Sequence, residues 1–155
     1  MKEDKADPHI SIEISDDENL SPPDFSASEI THLVGCVCEE FAITNAQVSI
    51  AIVSDEKILQ INNEFLRHDY ITDVISFDLS DEDEKCFELI VNAQLAAEKA
   101  EEHGHSPKSE LALYIVHGML HMAGFDDATA QQARLMHKKE DEILENLGYG
   151  KAYKS

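Results

Sequence analysis

Two histidines in the C-terminal third of the chain, His117 and His121, have the spacing of a metal-ligand pair. Residues four apart lie on one face of an α-helix, one turn above each other. Gly124 follows three residues later and can adopt the left-handed conformation that ends a helix. The chain can then turn back and bring Asp127 toward the two imidazoles. Two nitrogens and one carboxylate oxygen would form a three-ligand divalent metal site, with a fourth position open to water.

The histidine spacing alone is weak evidence for a metal. The chain has 8 histidines in 155 residues, so about 0.4 pairs at this spacing are expected by chance. The helix stop and the acidic residue beyond it strengthen the metal interpretation. Residues 111–116 are almost all apolar, which predicts a buried helix. A buried imidazole needs either a hydrogen bond or a metal as its partner.

Several segments together resemble one known family. Residues 117–127, HGMLHMAGFDD, resemble the signature HGxLHLxGYDH of the YbeY family, bacterial metal-dependent endoribonucleases of rRNA maturation. Residues 61–77 are similar to the family's LNxxYRxxDxxTDVLSF, and residues 87–92 to its G-[DE]-I-x-[IV]-[SN] strand, with Phe87 in place of the glycine. The family's closing helix, Mxxx-E-xx-IL-xxLG, is matched by Met136, Glu140, Ile143, Leu144 and Gly148. The resemblance covers about residues 30–149 in the family's order and spacing.

The resemblance implies a single-strand-specific, metal-dependent endoribonuclease that acts in rRNA maturation and ribosome quality control. It implies one divalent ion on His117, His121 and Asp127, with RNA and ribosomal or assembly-factor proteins as partners. The family's third histidine is Asp127 here, and a carboxylate also binds zinc, at about 2.0–2.2 Å. Zinc is the expected ion. A carboxylate is a harder ligand than the third histidine, so manganese or magnesium is more plausible here than at a site of three histidines.

The arginine that the family places beside the RNA is displaced in this chain. Leu66 stands at the aligned position, and Arg67 follows one place later. Arg67 could swing into the cleft from a loop and contact phosphate. Alternatively it lies on the outer face, and the function is absent or supplied by a partner.

Further candidates for catalysis are residues whose predicted positions place them near the metal. Asp73, Glu88 and Ser76 lie on the two strands expected nearest the cleft, where they could transfer or orient a proton, or could make hydrogen bonds at the sheet edge instead. We predict that Asp126 holds a histidine tautomer by a hydrogen bond. His137 is expected to be exposed. The remaining two candidates, His103 and His105, are expected to cap a helix end.

Two rival functions remain open. Metal-dependent proteases of the zincin type carry a glutamate base after the first histidine, and Gly118 occupies that place here. A protease-like hydrolase is therefore disfavoured. The second rival is a noncatalytic ribosome-assembly factor in which Asp127 has degraded the site.

The net charge of −20, with a pI near 4.5, opposes RNA binding by broad phosphate neutralisation. Acidic residues cluster in predicted loops and at residues 140–145, which are expected to be solvated faces. We therefore expect weak intrinsic RNA affinity, with recognition through a local pocket, divalent metal or a protein partner.

The helices and strands that position these residues are predicted from the spacing of apolar residues and from helix-capping residues. Strands are predicted at residues 9–15, 47–53, 73–79 and 86–92, and helices at 26–41, 55–65, 93–103, 107–123 and 129–147. This pattern indicates an α+β fold: one mixed sheet of about four strands, about five helices packed on it, and a metal-site helix that ends in a glycine turn. Residues 1–8 are predicted to be a disordered tail and residues 9–150 a single domain. The absence of a secretory signal or membrane span predicts a cytoplasmic protein.

Overall fold

The computed structural model describes residues 9–150, so the predicted tail over residues 1–8 lies outside the described residues. The strands are β1 (His9–Ser15), β2 (Asn45–Val53), β3 (Val74–Asp78) and β4 (Lys85–Asn92). The helices are α1 (Ala27–Glu40), α2 (Asp55–Ile61), α3 (Ala93–His103), α4 (Pro107–Met122) and α5 (Ala130–Asn146), with a π-helical turn at Asn62–Leu66.

The four strands form one mixed sheet in the order β1-β2-β4-β3. The β1/β2 and β2/β4 pairs are parallel, whereas β3 and β4 form an antiparallel hairpin at one edge. The described part of the chain combines five α-helices with this one mixed sheet, and α5 packs on α4. This architecture confirms the predicted α+β fold. A capping box formed by Ser26 and Glu29 begins α1, and the Ser54 side chain caps α2.

The two faces of β4 face different helices. Successive side chains on a strand point to opposite sides of the sheet. Phe87 and Leu89 are buried in the main core with α1 and α4. Ile90 packs instead with Ile58 of α2 in a smaller cluster on the other side. Only residues on the α4 side can therefore reach the two histidines of α4.

Helix α4 packs tightly against the hairpin at Gly118. A Cβ atom added there would lie 2.5 Å from Cδ2 of Leu89 and 3.1 Å from Oγ of Ser76. The missing side chain of Gly118 therefore lets the sheet approach the helix closely. The helix ends as predicted, because Gly124 has φ 105° and the N–H of Phe125 returns to the carbonyl of Leu120. None of the helices within residues 9–150 is long and apolar enough to cross a membrane.

The predicted helix over residues 55–65 is present, but its last turn is π-helical and not α-helical. The α-helix stops at Ile61, and the π-helical turn that follows ends at Arg67 in the left-handed conformation, with φ 56°. Buried Asn62 organises the change: its Nδ2 donates to the carbonyl of Tyr70 and to Oγ1 of Thr72. These tertiary hydrogen bonds fix the loop that leads from the turn to β3.

Candidate metal centre

The three predicted ligands converge at the C-terminal end of α4. Nε2 of His117 and Nε2 of His121 lie 3.7 and 3.8 Å from Oδ2 of Asp127. The two imidazole rings are nearly perpendicular, with centroids 4.8 Å apart. The spacing of the histidines on α4 and the turn at Gly124 produce this arrangement, as the sequence analysis expected.

Hydrogen bonds at the far side of each ring select its neutral tautomer. The Nδ1–H of His117 donates to Oε2 of Glu140 over 2.5 Å, and the Nδ1–H of His121 donates to the carbonyl of Phe125 over 3.2 Å. In the neutral form of each imidazole the proton therefore lies on Nδ1, and the Nε2 lone pair faces Asp127. This is the tautomer that a histidine needs in order to bind a metal.

Glu140 is a functional residue that the sequence analysis misplaced. The prediction that Glu140 lies on a solvated face was wrong, because the residue is fully buried on α5. The helical period offered a signal: Met136, Ile143 and Leu144 are buried on the same face. Burial of a carboxylate is costly unless it is paired, and His117 supplies the partner for Oε2, while Oε1 has no hydrogen-bond partner.

The role assigned to Asp126 was wrong. Asp126 is exposed, and its Oδ1 accepts the backbone N–H of Asp127 over 2.8 Å. It therefore shapes the loop that carries the third ligand. Glu140 and the Phe125 carbonyl hold the histidine tautomers in its place.

The electrostatics of the centre favour a cation. Burial by itself lowers the pKa of His117, but the hydrogen bond and charge of Glu140, together with two nearby aspartates, outweigh burial and raise this pKa. The two aspartates are Asp73 and Asp127. Positive charge at the imidazole is thus stabilised by three carboxylates.

The donor set fits a divalent ion of the zinc type. Two imidazole nitrogens and one carboxylate are a common catalytic ligand set with a fourth position left open. Ligand atoms bound at about 2.1 Å to a tetrahedral ion lie about 3.4 Å apart. The N···O distances of 3.7 and 3.8 Å therefore need to close by only a few tenths of an ångström.

An open cleft of ≈ 830 Å³ lies over the three ligands. Asp73 and Ser76, two of the predicted catalytic candidates, line it. Asp73 is exposed, and its Oδ1 accepts the N–H of Val74. Ser76 lies at the point where β3 approaches Gly118. The structure thus brings both residues to the centre.

Glu88, the third candidate, does not join the centre, so its expected position near the cleft was wrong. It pairs with Phe77 across the hairpin, whereas its neighbour Leu89 pairs with Ser76 and faces α4. Strand alternation therefore places Glu88 on the opposite face. There it lines an apolar groove with Phe65.

Leu66, and not Arg67, lines the cleft. Arg67 is exposed and occupies the left-handed position that ends the π-helical turn. The structure therefore favours the outer-face alternative for this arginine.

A pair of stacked rings at the cleft was missed by the sequence analysis. His68 and Tyr70 line the cleft with their rings 5.0 Å apart and inclined by 13°. The Tyr70 hydroxyl also lies 3.1 Å from Nδ1 of His68. The loop has no periodicity, so only the i,i+2 aromatic spacing could have indicated the pair.

The remaining histidines also differ from expectation. His137 is half-buried and not exposed. The imidazoles of His103 and His105 do not cap a helix but contact the carboxylate of Glu110. The capping at this turn comes from backbone N–H groups that donate to the carbonyl of Ala100.

A family profile and individual relatives of known name indicate the same family for this chain. The family profile described as Endoribonuclease YbeY matches residues 11–148. The Endoribonuclease YbeY of Bacillus licheniformis is 35% identical over 153 residues, covering 91% of this chain and 97% of that protein. The Bacillus subtilis protein of the same name is 36% identical, covering 85% and 92%. The solution structure of TM1509 from Thermotoga maritima is similar with a TM-score of 0.57 and 25% identity, covering 89% of this chain and 91% of that one.

Proposed function

The chain belongs to the YbeY family of endoribonucleases, and we propose that it is a metal-dependent endoribonuclease that cuts single-stranded RNA. The observation that carries this proposal is the convergence of the Nε2 atoms of His117 and His121 and the Asp127 carboxylate beneath an open cleft. From the family resemblance we further propose that the substrate is rRNA in the cytoplasm, and that ribosomal or assembly-factor proteins are partners in ribosome maturation and quality control.

Each residue of the centre has a defined task in this proposal. His117, His121 and Asp127 hold one divalent ion, with zinc the best match to the donor set. Such an ion lowers the pKa of water toward about 7 and polarises a phosphoryl oxygen. Glu140 and the Phe125 carbonyl keep the imidazoles oriented. This chain thereby supplies a rigid ligand set on one buried helix.

Asp73 is the proton acceptor that we assign to the cleft. Its carboxylate lines the cleft, and its charge contributes to the raised pKa of His117. One oxygen is occupied by the N–H of Val74, and the exposed side chain leaves the other available to substrate. Ser76 lines the same wall and can orient a phosphate oxygen through its hydroxyl.

Stacking can hold the RNA where charge cannot. A net charge of −20 repels the phosphate backbone, which removes the usual source of nucleic-acid affinity. The His68–Tyr70 pair offers aromatic faces at the cleft, and unpaired bases stack on such faces, whereas bases within a duplex are already stacked. This arrangement supports a preference for single strands.

The two rival functions fit the structure less well. A protease base at position 118 would have to enter the space filled by Leu89 and Ser76, because even a Cβ there comes within 2.5 Å of Leu89. A degraded site is also disfavoured, because the Asp127 carboxylate points at both Nε2 atoms.

A cleavage assay tests the proposal. The protein is loaded with zinc or manganese and incubated with a single-stranded RNA and with the same RNA in a duplex. We expect cleavage of the single strand that is abolished by a chelator and by His117→Ala/His121→Ala. His9→Ala, which alters an exposed histidine on β1, serves as the control. Equal cleavage by the double variant would refute the assignment of the centre.

A further inference from the structure

A second group of metal-ligand side chains lies at the turn between α3 and α4, at the other end of the metal-site helix. His103 is the last residue of α3, and His105 follows Gly104, whose φ of 74° reverses the chain. Glu110 lies in the first turn of α4, which begins after the Ser106 cap. The three side chains thus come from two helix ends that one short, hydrogen-bonded turn holds together.

The ligand atoms of this group converge on one carboxylate oxygen. Nδ1 of His103 lies 3.4 Å from Oε1 of Glu110, and Nε2 of His105 is hydrogen-bonded to the same oxygen. The two rings are nearly perpendicular, with centroids 5.8 Å apart. All three ligand atoms lie within 4.8 Å of one another, as they do in the centre at the other end of α4.

This geometry is close to what a tetrahedral ion requires. Ligand atoms around such an ion are about 3.4 Å apart, which is the separation between His103 and Glu110. The contact between His105 and Glu110 has to open to admit an ion. Two nitrogens and one carboxylate suit borderline divalent ions such as zinc, cobalt or nickel, and water can complete the coordination.

Charge gives a second reason for a cation at this turn. The Glu110 carboxylate is only 3% exposed, and a buried carboxylate needs a counter-charge. Desolvation and the neighbouring Glu110 raise the pKa of Tyr114, so that the phenol stays neutral and adds no second negative charge beside the carboxylate. A divalent ion held by the two imidazoles would neutralise this carboxylate outright.

We propose that His103, His105 and Glu110 form a second divalent-metal site, which ties the C-terminus of α3 to the N-terminus of α4. Glu110 precedes His121 by eleven residues, or about 16 Å along the helix. The two ions would therefore bind at separate places on one helix. The second ion stabilises the position of α4 and takes no part in the chemistry at the cleft.

Metal stoichiometry tests the proposal. Purified protein is stripped with a chelator, dialysed against excess zinc and analysed for bound metal, with His9→Ala as the control. We expect two zinc ions per chain, and one in His103→Ala/His105→Ala. The His103 side chain is half exposed, so this double variant should fold, which circular dichroism verifies. One ion in both the wild type and the double variant would overturn the proposal.

A thermal measurement separates the two sites. In the His117→Ala/His121→Ala background, zinc at 100-fold above its Kd should raise the unfolding midpoint by about 5–10 °C. Adding His103→Ala/His105→Ala should abolish that shift. A shift that survives all four substitutions would contradict the second site. Because neither readout uses RNA, both remain decisive even if the protein cleaves no RNA.

Discussion

The Nδ1–H of His117 donates a 2.5 Å hydrogen bond to Oε2 of Glu140, a carboxylate that is fully buried on a different helix. This bond joins α4 to α5 behind the metal centre. It fixes both the tautomer and the orientation of the ring, so Nε2 is preset toward Asp127. The precision of the centre therefore depends on α5 as well as on the helix that carries the histidines.

Glu140→Gln should weaken metal binding by about 10- to 100-fold, because the amide keeps the size of the side chain but removes its charge. Zinc competition with a chromophoric chelator measures the affinity. Glu145→Gln, on an exposed position of the same helix, is the matched control. Unchanged affinity in Glu140→Gln would show that the ring is oriented by packing alone.

Gly118→Ala should destabilise the fold by about 1–3 kcal/mol, the usual cost of overpacking. The added Cβ would lie 2.5 Å from Leu89. Urea unfolding measures the free energy. Gly35→Ala in α1 is the control: nothing lies within 4 Å of its added Cβ, so it should stabilise the helix by about 0.5–1 kcal/mol. Equal behaviour of the two variants would contradict the close packing of α4 on the hairpin.

Asp127→His should keep or tighten zinc binding, because a third imidazole replaces the carboxylate that faces both Nε2 atoms. Asp127→Ala removes the ligand and should lower zinc affinity strongly. Competition titrations with zinc and manganese compare the three proteins. We expect the histidine variant to lose relative affinity for manganese, a harder ion. Full zinc affinity in Asp127→Ala would remove this residue from the ligand set.

The metal ligands were predictable because their determinants are local. Four-residue spacing and a glycine stop act within one helix and one turn, and the structure places His117, His121 and Asp127 together accordingly. The buried face of α5 carried a similar local signal for Glu140, since the residue repeats with Met136 and Ile143. Its acidic neighbours concealed that signal.

The misplaced residues depend on relationships that no local pattern carries. Glu88 and Leu89 differ by one position, and which of them faces α4 depends on the pairing of β4 with β3. The π-helical turn is set by the hydrogen bonds of Asn62 to a loop eight to ten residues away. That loop also creates the stacked pair at the cleft.

Tyr70→Ala should weaken binding of single-stranded RNA by about 1–3 kcal/mol, the usual contribution of one stacked base, without changing metal content. Tyr70→Phe keeps the ring and should bind nearly as well as the wild type, although it loses the contact with His68. Fluorescence anisotropy with a labelled single strand measures both. Equal losses in the two variants would assign the effect to the hydroxyl and not to stacking.

The last prediction concerns Leu66 and Arg67. Leu66 lines the cleft, whereas Arg67 is exposed at the end of the π-helical turn. Arg67→Ala should therefore leave RNA cleavage almost unchanged. Leu66→Arg places a cation in the cleft, where one preorganised charge donor can contribute on the order of 10²-fold to a transition state. The added cation should also tighten RNA binding, because it offsets the negative charge of the cleft. Single-turnover cleavage rates, with metal content as the control, measure both variants. A 10²-fold loss in Arg67→Ala, with no gain in Leu66→Arg, would show that Arg67 reaches the scissile phosphate when RNA binds.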